Sequence, residues 1–200
     1  MKTKLVCVSA LILSILLSMS CNNPQKSASD AVLDNIFTRT SIRSYTDKPL
    51  SDKQIETLLK AGMAAPSAKN MQPWSFVVVT DSALRASLVT KGVNRMYADA
   101  PCLIVVCGET DNLNWHVDCS AVTENILLAA HAIGLGAVWT ACWPYEDRYS
   151  VVKNVLGIPD GIMPLAIIPV GYPAEQPAPK DKWSPGRIHK ERWSNQIHRV

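Results

Sequence analysis

The sequence lacks several patterns that would assign it to a particular class of protein. It contains no internal repeat and no extended low-complexity segment, so it does not read as a repeat protein or a disordered chain. It has no Cys-x-x-Cys pair and no cluster of His and Cys at metal-ligand spacing, which removes the usual signs of a zinc site. No Ser/His/Asp or Cys/His constellation stands out, so catalysis by a nucleophilic triad is not indicated.

An excess of charge is also missing from most of the chain. The formal net charge is +3, and without Lys2 and Lys4 in the amino-terminal leader 18 basic residues face 17 acidic ones. Such a balance provides no positive electrostatic potential that would attract nucleic acid, so we expect no nucleic-acid partner. The remaining positive excess lies from residue 173 onward, where six Lys or Arg stand against three Asp or Glu.

Residues 1–21 have the pattern of an export signal. Lys2 and Lys4 precede an apolar run over residues 5–17 that is too short to span a membrane as a helix. Small residues then lead to Cys21, which resembles a bacterial lipoprotein signal whose cysteine becomes a lipid-modified amino terminus. A plain cleaved signal peptide is the alternative. Either interpretation predicts export from the cytoplasm, and the first predicts a protein of the cell envelope that is attached to the membrane through the lipid anchor alone.

Residues 22–30 read as a polar tether, and residues 31–200 as one α+β domain. With 200 residues and 48% hydrophobic content, the chain can build a substantial core. Apolar periodicity predicts helices at residues 31–38, 52–65, 82–90 and 115–133, and strands at residues 76–80, 103–107, 137–140 and 165–170. Continuous apolar runs at 77–79 and 103–106 indicate strands that are covered on both faces.

Four cysteines of this domain, Cys102, Cys107, Cys119 and Cys142, are interpreted as small apolar core residues. A disulfide is the alternative in an oxidising compartment, although Cys102 and Cys107 would face opposite sides of one strand and could not pair with each other. His131 lies among apolar residues of a predicted helix. We interpret it as a hydrogen-bonded packing residue rather than a catalyst.

Two segments carry candidate ligand-binding chemistry. Residues 65–74, Ala-Pro-Ser-Ala-Lys-Asn-Met-Gln-Pro-Trp, place hydroxyl, amide and backbone groups between two helix-breaking prolines. Residues 39–45, Arg-Thr-Ser-Ile-Arg-Ser-Tyr, contain two arginines that could bind one phosphate. Taken singly, the first could be an ordinary loop and the second a solvated basic stretch.

In their order and spacing these segments resemble the opening of the FMN-dependent nitroreductase family. Later landmarks extend the resemblance over about residues 31–193: Ala100-Pro101, Asp118-Cys119-Ser120-Ala121, Glu124-Asn125, residues 134–139, and Asp181-Lys182-Trp183 before Arg187. The resemblance implies a nitroreductase-like α+β fold with a central mixed or antiparallel sheet flanked by helices. It also implies a homodimer with two flavins at its interface. Residues 173–200 would be a carboxy-terminal arm swapped onto the partner, with a disordered end as the alternative.

The resemblance further implies a set of FMN contacts. The phosphate and ring-edge segment corresponds to Arg39, Thr40, Ser41 and Arg43. The loop that contacts the flavin of the other subunit corresponds to Pro66, Ser67, Ala68 and Asn70. The backbone near flavin N5 corresponds to Trp139, Thr140, Ala141 and Cys142. The carboxy-terminal cationic contact corresponds to Arg187, helped by Lys182, and a further ring-edge contact to Asn94.

The implied function is ping-pong transfer of reducing equivalents from NAD(P)H or another donor to a nitroaromatic, quinone or similar small acceptor. The chemistry would take place on FMN, so no catalytic side chain and no metal is expected. Trp139, Trp143 and Tyr145 either shape the acceptor side of the pocket or serve as ordinary packing. Free nicotinamide nucleotides are scarce outside the cytoplasm, which leaves the natural donor open. An envelope lipoprotein that binds flavin or a small ligand without turnover is the alternative.

Overall fold

The computed structural model describes residues 27–89 and 95–193, so the predicted signal peptide and Asn94 lie outside the described residues. The described chain divides into two units, one that ends at Asp34 and one that begins at Asn35. The helices are α1 (Ala28–Thr38), α2 (Asp52–Met63), α3 (Ser82–Ser87), α4 (Met96–Asp99), α5 (Trp115–Ala132) and α6 (Glu146–Leu156). No helix within the described ranges is both long and apolar enough to cross a membrane.

The strands form one sheet in which every described strand pair is antiparallel. They are β1 (Trp74–Val79), β2 (Cys102–Glu109), β3 (Gly136–Ala137), β4 (Thr140–Ala141) and β5 (Ile162–Gly171). Their order is β1-β2-β5-β3, and β4 also pairs with β5. The predicted α+β architecture, with a central antiparallel sheet flanked by helices, is confirmed. The single strand predicted at residues 137–140 is instead two short strands separated by Val138 and Trp139.

Strand β2 lies inside the sheet and is buried on both faces. Alternate residues Cys102, Ile104 and Val106 join a core cluster that includes α5, while Leu103, Val105 and Cys107 join the cluster on the other face. The expectation of two covered faces is therefore confirmed for β2. It is wrong for β1, where the Val78 side chain is 37% exposed, because β1 is the edge strand and the flanking helices cover it only in part.

The long helix α5 packs its Val122, Ile126 and Ala130 side chains into the core. His131, near its end, shares a hydrogen bond of 2.9 Å between Nε2 and Thr38 Oγ1. Asn35 Nδ2 donates to the Leu128 carbonyl oxygen at 3.0 Å. The histidine thus joins the end of α1 to α5, and its interpretation as a hydrogen-bonded packing residue is confirmed.

Helix α6 was not predicted from the sequence. It buries Val152 and partly buries Tyr149, Val155 and Leu156 against the sheet, and it ends at Gly157, which has a left-handed φ of 63°. Both the three- and four-residue apolar spacing and the glycine after the last turn are sequence signals of a helix. Both signals are present, but the charged and polar residues of this segment make the apolar spacing less evident.

All four cysteines of the described chain are free and buried, which confirms their interpretation as core residues. Burial raises the pKa of each thiol from its ordinary value of 9.0 to about 12. The native protein therefore keeps these thiols protonated under conditions in which an exposed cysteine would ionise. They have the character of packing groups and not of nucleophiles.

We expect the free energy of unfolding to fall as the pH rises from about 9 to about 12. The unfolded chain releases its thiol protons near pH 9, whereas the native chain holds them until about pH 12, so high pH favours the unfolded state. Below about pH 9 the thiols are protonated in both the native and the unfolded state, so they do not reduce the free energy of unfolding. Urea unfolding at about pH 8 and about pH 10.5 measures the difference.

Two controls separate the thiols from other titrating groups. The Cys102→Ala variant should lose less stability than the native sequence over the same pH interval, because one buried thiol is gone. Alkylation mapped by mass spectrometry should leave the four cysteines unlabelled in the native protein at about pH 8 and label them after unfolding. Rapid labelling of the native protein would contradict this interpretation.

Candidate functional site

A cleft of about 900 Å³ lies between the segment that follows α1 and the carboxy-terminal arm. This volume is in the range of small-molecule and cofactor sites. Its lining residues are Ile36, Phe37, Arg39, Thr40, Ser41, Arg43, Glu124, Glu175, Pro177, Ala178, Pro179, Lys180, Asp181, Lys182 and Trp183. The structure therefore brings together five of the predicted cofactor contacts: Arg39, Thr40, Ser41, Arg43 and Lys182.

The arm is attached at its start to the basic segment of the same chain. The Thr46 N–H donates to the Tyr172 carbonyl oxygen at 2.9 Å, and the Ala174 N–H donates to the Ser44 carbonyl oxygen at 2.9 Å. Backbone pairing of this kind holds the arm beside the segment, and the described part of the arm includes a short 3₁₀ helix, Pro185–Arg187. The two walls of the cleft thus come from distant parts of the chain. One wall is formed by residues 36–43 and the other by residues 175–183.

Arg39, which lines the cleft, carries a guanidinium donor that has no partner. Its Nε lies 3.2 Å from Glu124 Oε1, and its side chain is only 16% exposed. Its Nη1 is buried and has no hydrogen-bond partner. A buried guanidinium N–H without an acceptor is unfavourable by roughly 1 to 3 kcal/mol. An anionic ligand in the cleft would supply the missing acceptor, while Glu124 holds the guanidinium in place.

Two carboxylates of the cleft were not predicted as site residues. Glu124 orients Arg39, and Glu175 Oε1 accepts hydrogen bonds from the N–H groups of Arg43 at 2.7 Å and Ser44 at 3.2 Å. Glu124 belongs to the Glu124-Asn125 landmark, which carries the family resemblance but does not indicate a contact with Arg39. Glu175 has no sequence signal, because it acts on backbone groups 132 positions earlier in the chain.

The basic segment also contacts the β3–β4 region that was predicted to approach flavin N5. The Ile42 N–H donates to the Ala137 carbonyl oxygen at 3.1 Å, and Ser41 forms a parallel bridge with Ala137. Trp139, Thr140 and Ala141 follow two to four positions after Ala137, the residue that meets the basic segment. Their proximity to a flavin stays a prediction.

The predicted role of the Cys142 amide needs correction. Its N–H donates to the Leu165 carbonyl oxygen at 2.8 Å, as does the N–H of Trp143 at 3.2 Å. The amide is therefore engaged by β5 and is not a free donor for a ligand. Trp143 itself is partly exposed and makes an edge-to-face contact with Trp115, with ring centroids 5.5 Å apart.

The remaining predicted contacts do not line this cleft. Pro66, Ser67, Ala68 and Asn70 lie on the loop after α2, away from the cleft of their own chain. Their predicted contact with a flavin of the other subunit stays a prediction. The Arg187 side chain is exposed and is absent from the lining, whereas Lys182 is present. Within one chain, Lys182 is thus the better placed of the two cations.

The chemistry of the cleft suits the phosphate end of FMN. Arg39 offers an unused guanidinium N–H, Thr40 and Ser41 offer hydroxyl groups, and Arg43 and Lys182 add positive charge. Guanidinium and hydroxyl donors of this kind bind phosphate through charge-assisted hydrogen bonds. The apolar lining residues Ile36, Phe37 and Trp183 provide surface for a less polar portion of a ligand.

Comparison with known proteins identifies the family of the chain. A model of the Nitroreductase family matches two stretches of the chain, residues 36–92 and 89–172. A relative from Methanothermobacter thermautotrophicus, provisionally named NADH dehydrogenase/NAD(P)H nitroreductase, is 41% identical over 167 residues. The match covers 81% of this chain and 87% of the relative.

Solved structures share the fold. A Bacteroides thetaiotaomicron protein with the same provisional name is 46% identical with a TM-score of 0.79, covering 82% of this chain and 98% of that one. An FMN-dependent nitroreductase from Clostridium difficile R20291 is 26% identical with a TM-score of 0.76, covering 80% of this chain and 99% of that one. The two stretches that match the family model include the basic segment, α5 and all five described strands.

Proposed function

This chain belongs to the nitroreductase family of FMN-dependent NAD(P)H oxidoreductases, and on that premise we propose that it passes reducing equivalents to small nitroaromatic, quinone or similar acceptors in a ping-pong cycle. NAD(P)H is the proposed donor, with another reductant as the alternative in the cell envelope. The observation that carries the proposal is the buried, unpartnered Nη1 of Arg39 at a cleft of about 900 Å³.

The residues of the cleft and those that follow β3 have distinct proposed roles. Arg39, Arg43 and Lys182 bind the FMN phosphate, with the hydroxyl groups of Thr40 and Ser41 as further donors. Glu124 keeps the Arg39 guanidinium oriented through its contact at 3.2 Å. Backbone groups of Trp139, Thr140 and Ala141 stabilise charge near the ring without a titratable side chain. Bound FMN would supply the electron chemistry.

We also propose that the active form is a homodimer in which the 66–70 loop reaches the flavin of the partner. The Met71 side chain, next to this loop, is 63% exposed, so an apolar contact beside the loop is open to a partner in the isolated chain. In this assembly the carboxy-terminal arm extends over the neighbouring subunit beyond Trp183, the last arm residue that lines the cleft. Export, and anchoring through Cys21, are proposed from the leader sequence alone.

Purification with flavin present tests the cofactor assignment. We expect a yellow protein with the visible absorption of bound FMN, at about one flavin per chain. A protein that stays colourless with FMN in excess would contradict the proposal. Sedimentation of the same sample measures whether it is a dimer.

Turnover is tested separately from binding. The bound flavin is reduced without oxygen, first with NADH or NADPH and then with dithionite, and nitroaromatic and quinone acceptors are added in turn. Reoxidation well above the rate in buffer is expected with at least one acceptor class. If the flavin binds but no acceptor reoxidises it, the alternative of a flavin-binding envelope lipoprotein without turnover is favoured.

A further inference from the structure

The loop between α2 and β1 has an unusual backbone. Lys69, Asn70 and Gln72 have positive φ values of 52°, 56° and 51°. Residues with a Cβ rarely adopt this left-handed conformation, which is unfavourable by roughly 1 to 2 kcal/mol per residue. Three such residues within four positions require support from neighbouring structure, and strain of this kind occurs often at functional sites.

Hydrogen bonds within the loop give part of this support. The Gln72 N–H donates to Ser67 Oγ at 3.0 Å, and Gln72 Nε2 donates to Asn70 Oδ1 at 3.0 Å. Both bonds are exposed, so water competes with them. They tie the loop to itself, and neither of them joins it to the core.

A buried carboxylate provides the connection to the core. Asp118, in the first turn of α5, accepts a hydrogen bond from the Ala68 N–H through Oδ1 at 3.1 Å. The residue is only 6% exposed, and its Oδ2 is buried without a partner. A buried carboxylate oxygen without a donor is unfavourable. The positive end of the helix dipole at the start of α5 offsets some of this cost. The dipole alone does not explain why the Asp118 carboxylate also contacts the loop.

We propose that Asp118 is the positioning residue for the 67–72 loop, and that its hydrogen bond to Ala68 holds this loop in the left-handed shape that contacts FMN. The second part rests on the proposed function, because it takes the loop as a flavin contact. Asp118 acts through the Ala68 backbone and touches neither flavin nor substrate. Ser67 and Asn70 lie on either side of the restrained residue, so they lose their arrangement when the bond is removed.

Asp118→Ala tests the proposal with two measurements. In the flavin-free protein, amide hydrogen exchange of residues 67–72 should become at least about tenfold faster, because the connection to the core is lost. FMN binding should weaken by about 10- to 100-fold, the range for a hydrogen bond to a charged group. Asp118→Asn retains an acceptor oxygen for the Ala68 N–H and should recover most of both properties. Visible circular dichroism should show a changed ring environment in Asp118→Ala alone.

Thr123→Val is the matched control. Thr123 is fully buried on the same helix, and its Oγ1 donates to the Cys119 carbonyl oxygen at 2.8 Å without reaching the loop. This variant should change neither the loop exchange nor the FMN affinity. Equal loop exchange in Asp118→Ala and Thr123→Val would overturn the proposal, and so would FMN affinity within about twofold of the native value.

A second variant covers the case in which Asp118→Ala does not fold. Ala68→Pro removes the donor N–H at the first position of a 3₁₀ helix, after a residue whose extended φ and ψ of −139° and 154° accept a following proline. Faster exchange at residues 69–72 supports the proposal, and unchanged exchange refutes it. Since exchange is measured without flavin, failure of FMN binding in the native protein would refute the proposed function and not the role of Asp118 in the loop.

Discussion

Arg39→Ala is expected to weaken FMN binding roughly 100-fold, a free-energy loss of about 3 kcal/mol. The guanidinium is mostly buried, is held by Glu124 at 3.2 Å, and has an unpartnered Nη1 at the cleft. Because its position is already determined, little further ordering is needed when it binds a phosphate. Titration of the flavin-free protein with FMN, followed by flavin fluorescence, measures the change.

Three comparison variants show whether the effect belongs to the cleft. Arg39→Lys keeps the charge but loses the planar set of donors, so its affinity should lie between those of Arg39→Ala and the native protein. Lys60→Ala removes one positive charge from an exposed pair with Glu56 and should leave FMN binding unchanged. Arg187→Ala should have a smaller effect than Arg39→Ala, since Arg187 does not line the cleft. Native affinity in Arg39→Ala would remove the main support for the cofactor site.

Gly136→Ala is expected to reduce both stability and FMN affinity. A Cβ at this position would lie 2.6 Å from Ile42 Cγ2 and 2.7 Å from Ile42 Cβ. The Ile42 side chain is buried, and its N–H is bonded to Ala137, so it cannot move aside freely. Overpacking of this kind is unfavourable by about 1 to 3 kcal/mol, which lowers the melting temperature by roughly 2 to 12 °C for a domain of this size.

The effect on the ligand follows from the position of Ile42 between Ser41 and Arg43. Moving this side chain shifts the two cleft residues beside it, so we expect FMN binding to weaken about tenfold or more, since small misplacements of binding groups have large effects. Calorimetry and FMN titration measure the two losses separately. Native FMN affinity in a destabilised Gly136→Ala protein would mean that the basic segment is not positioned by β3.

Gly134→Ala is the matched glycine control. Gly134 has a φ of +75° and nothing within 4 Å of an added Cβ, so the replacement strains the backbone by roughly 1 to 2 kcal/mol without a clash. It should lower the melting temperature and leave FMN affinity unchanged. A loss of affinity in both glycine variants would indicate a general effect of destabilisation.

The candidate site was predictable where its chemistry is concentrated in one short segment. Arg39, Thr40, Ser41 and Arg43 are neighbours in the chain, and the structure places all four at the same cleft. Glu175 was not predicted because it binds backbone N–H groups. Every residue except proline has such a group, so the sequence does not indicate which ones a carboxylate will bind. Cys142 was assigned a free amide because the sequence does not show which backbone groups a neighbouring strand will occupy.

The fold shows the same division. The apolar run of β2 predicted a strand buried on both faces, but the similar run at residues 77–79 predicted the same for β1, which lies at the sheet edge. The run indicates a strand, whereas its burial depends on which elements pack beside it. The spacing of Tyr149, Val152 and Leu156 could have identified α6, since only local periodicity was needed.

The amino-acid sequence by itself determined the α+β architecture, the core role of the four described cysteines, and the basic and polar segments that carry the ligand-binding chemistry. These features depend on residue type and spacing over a few turns or strands. Only the tertiary structure decided that Glu124 holds Arg39, that Ile42 packs on Gly136, and that Asp118 restrains Ala68. Such contacts join residues that are far apart in the chain, and they exist only once the helices and strands have packed. The loop at residues 65–74 therefore has its polar groups from the sequence and its shape from a carboxylate on another helix.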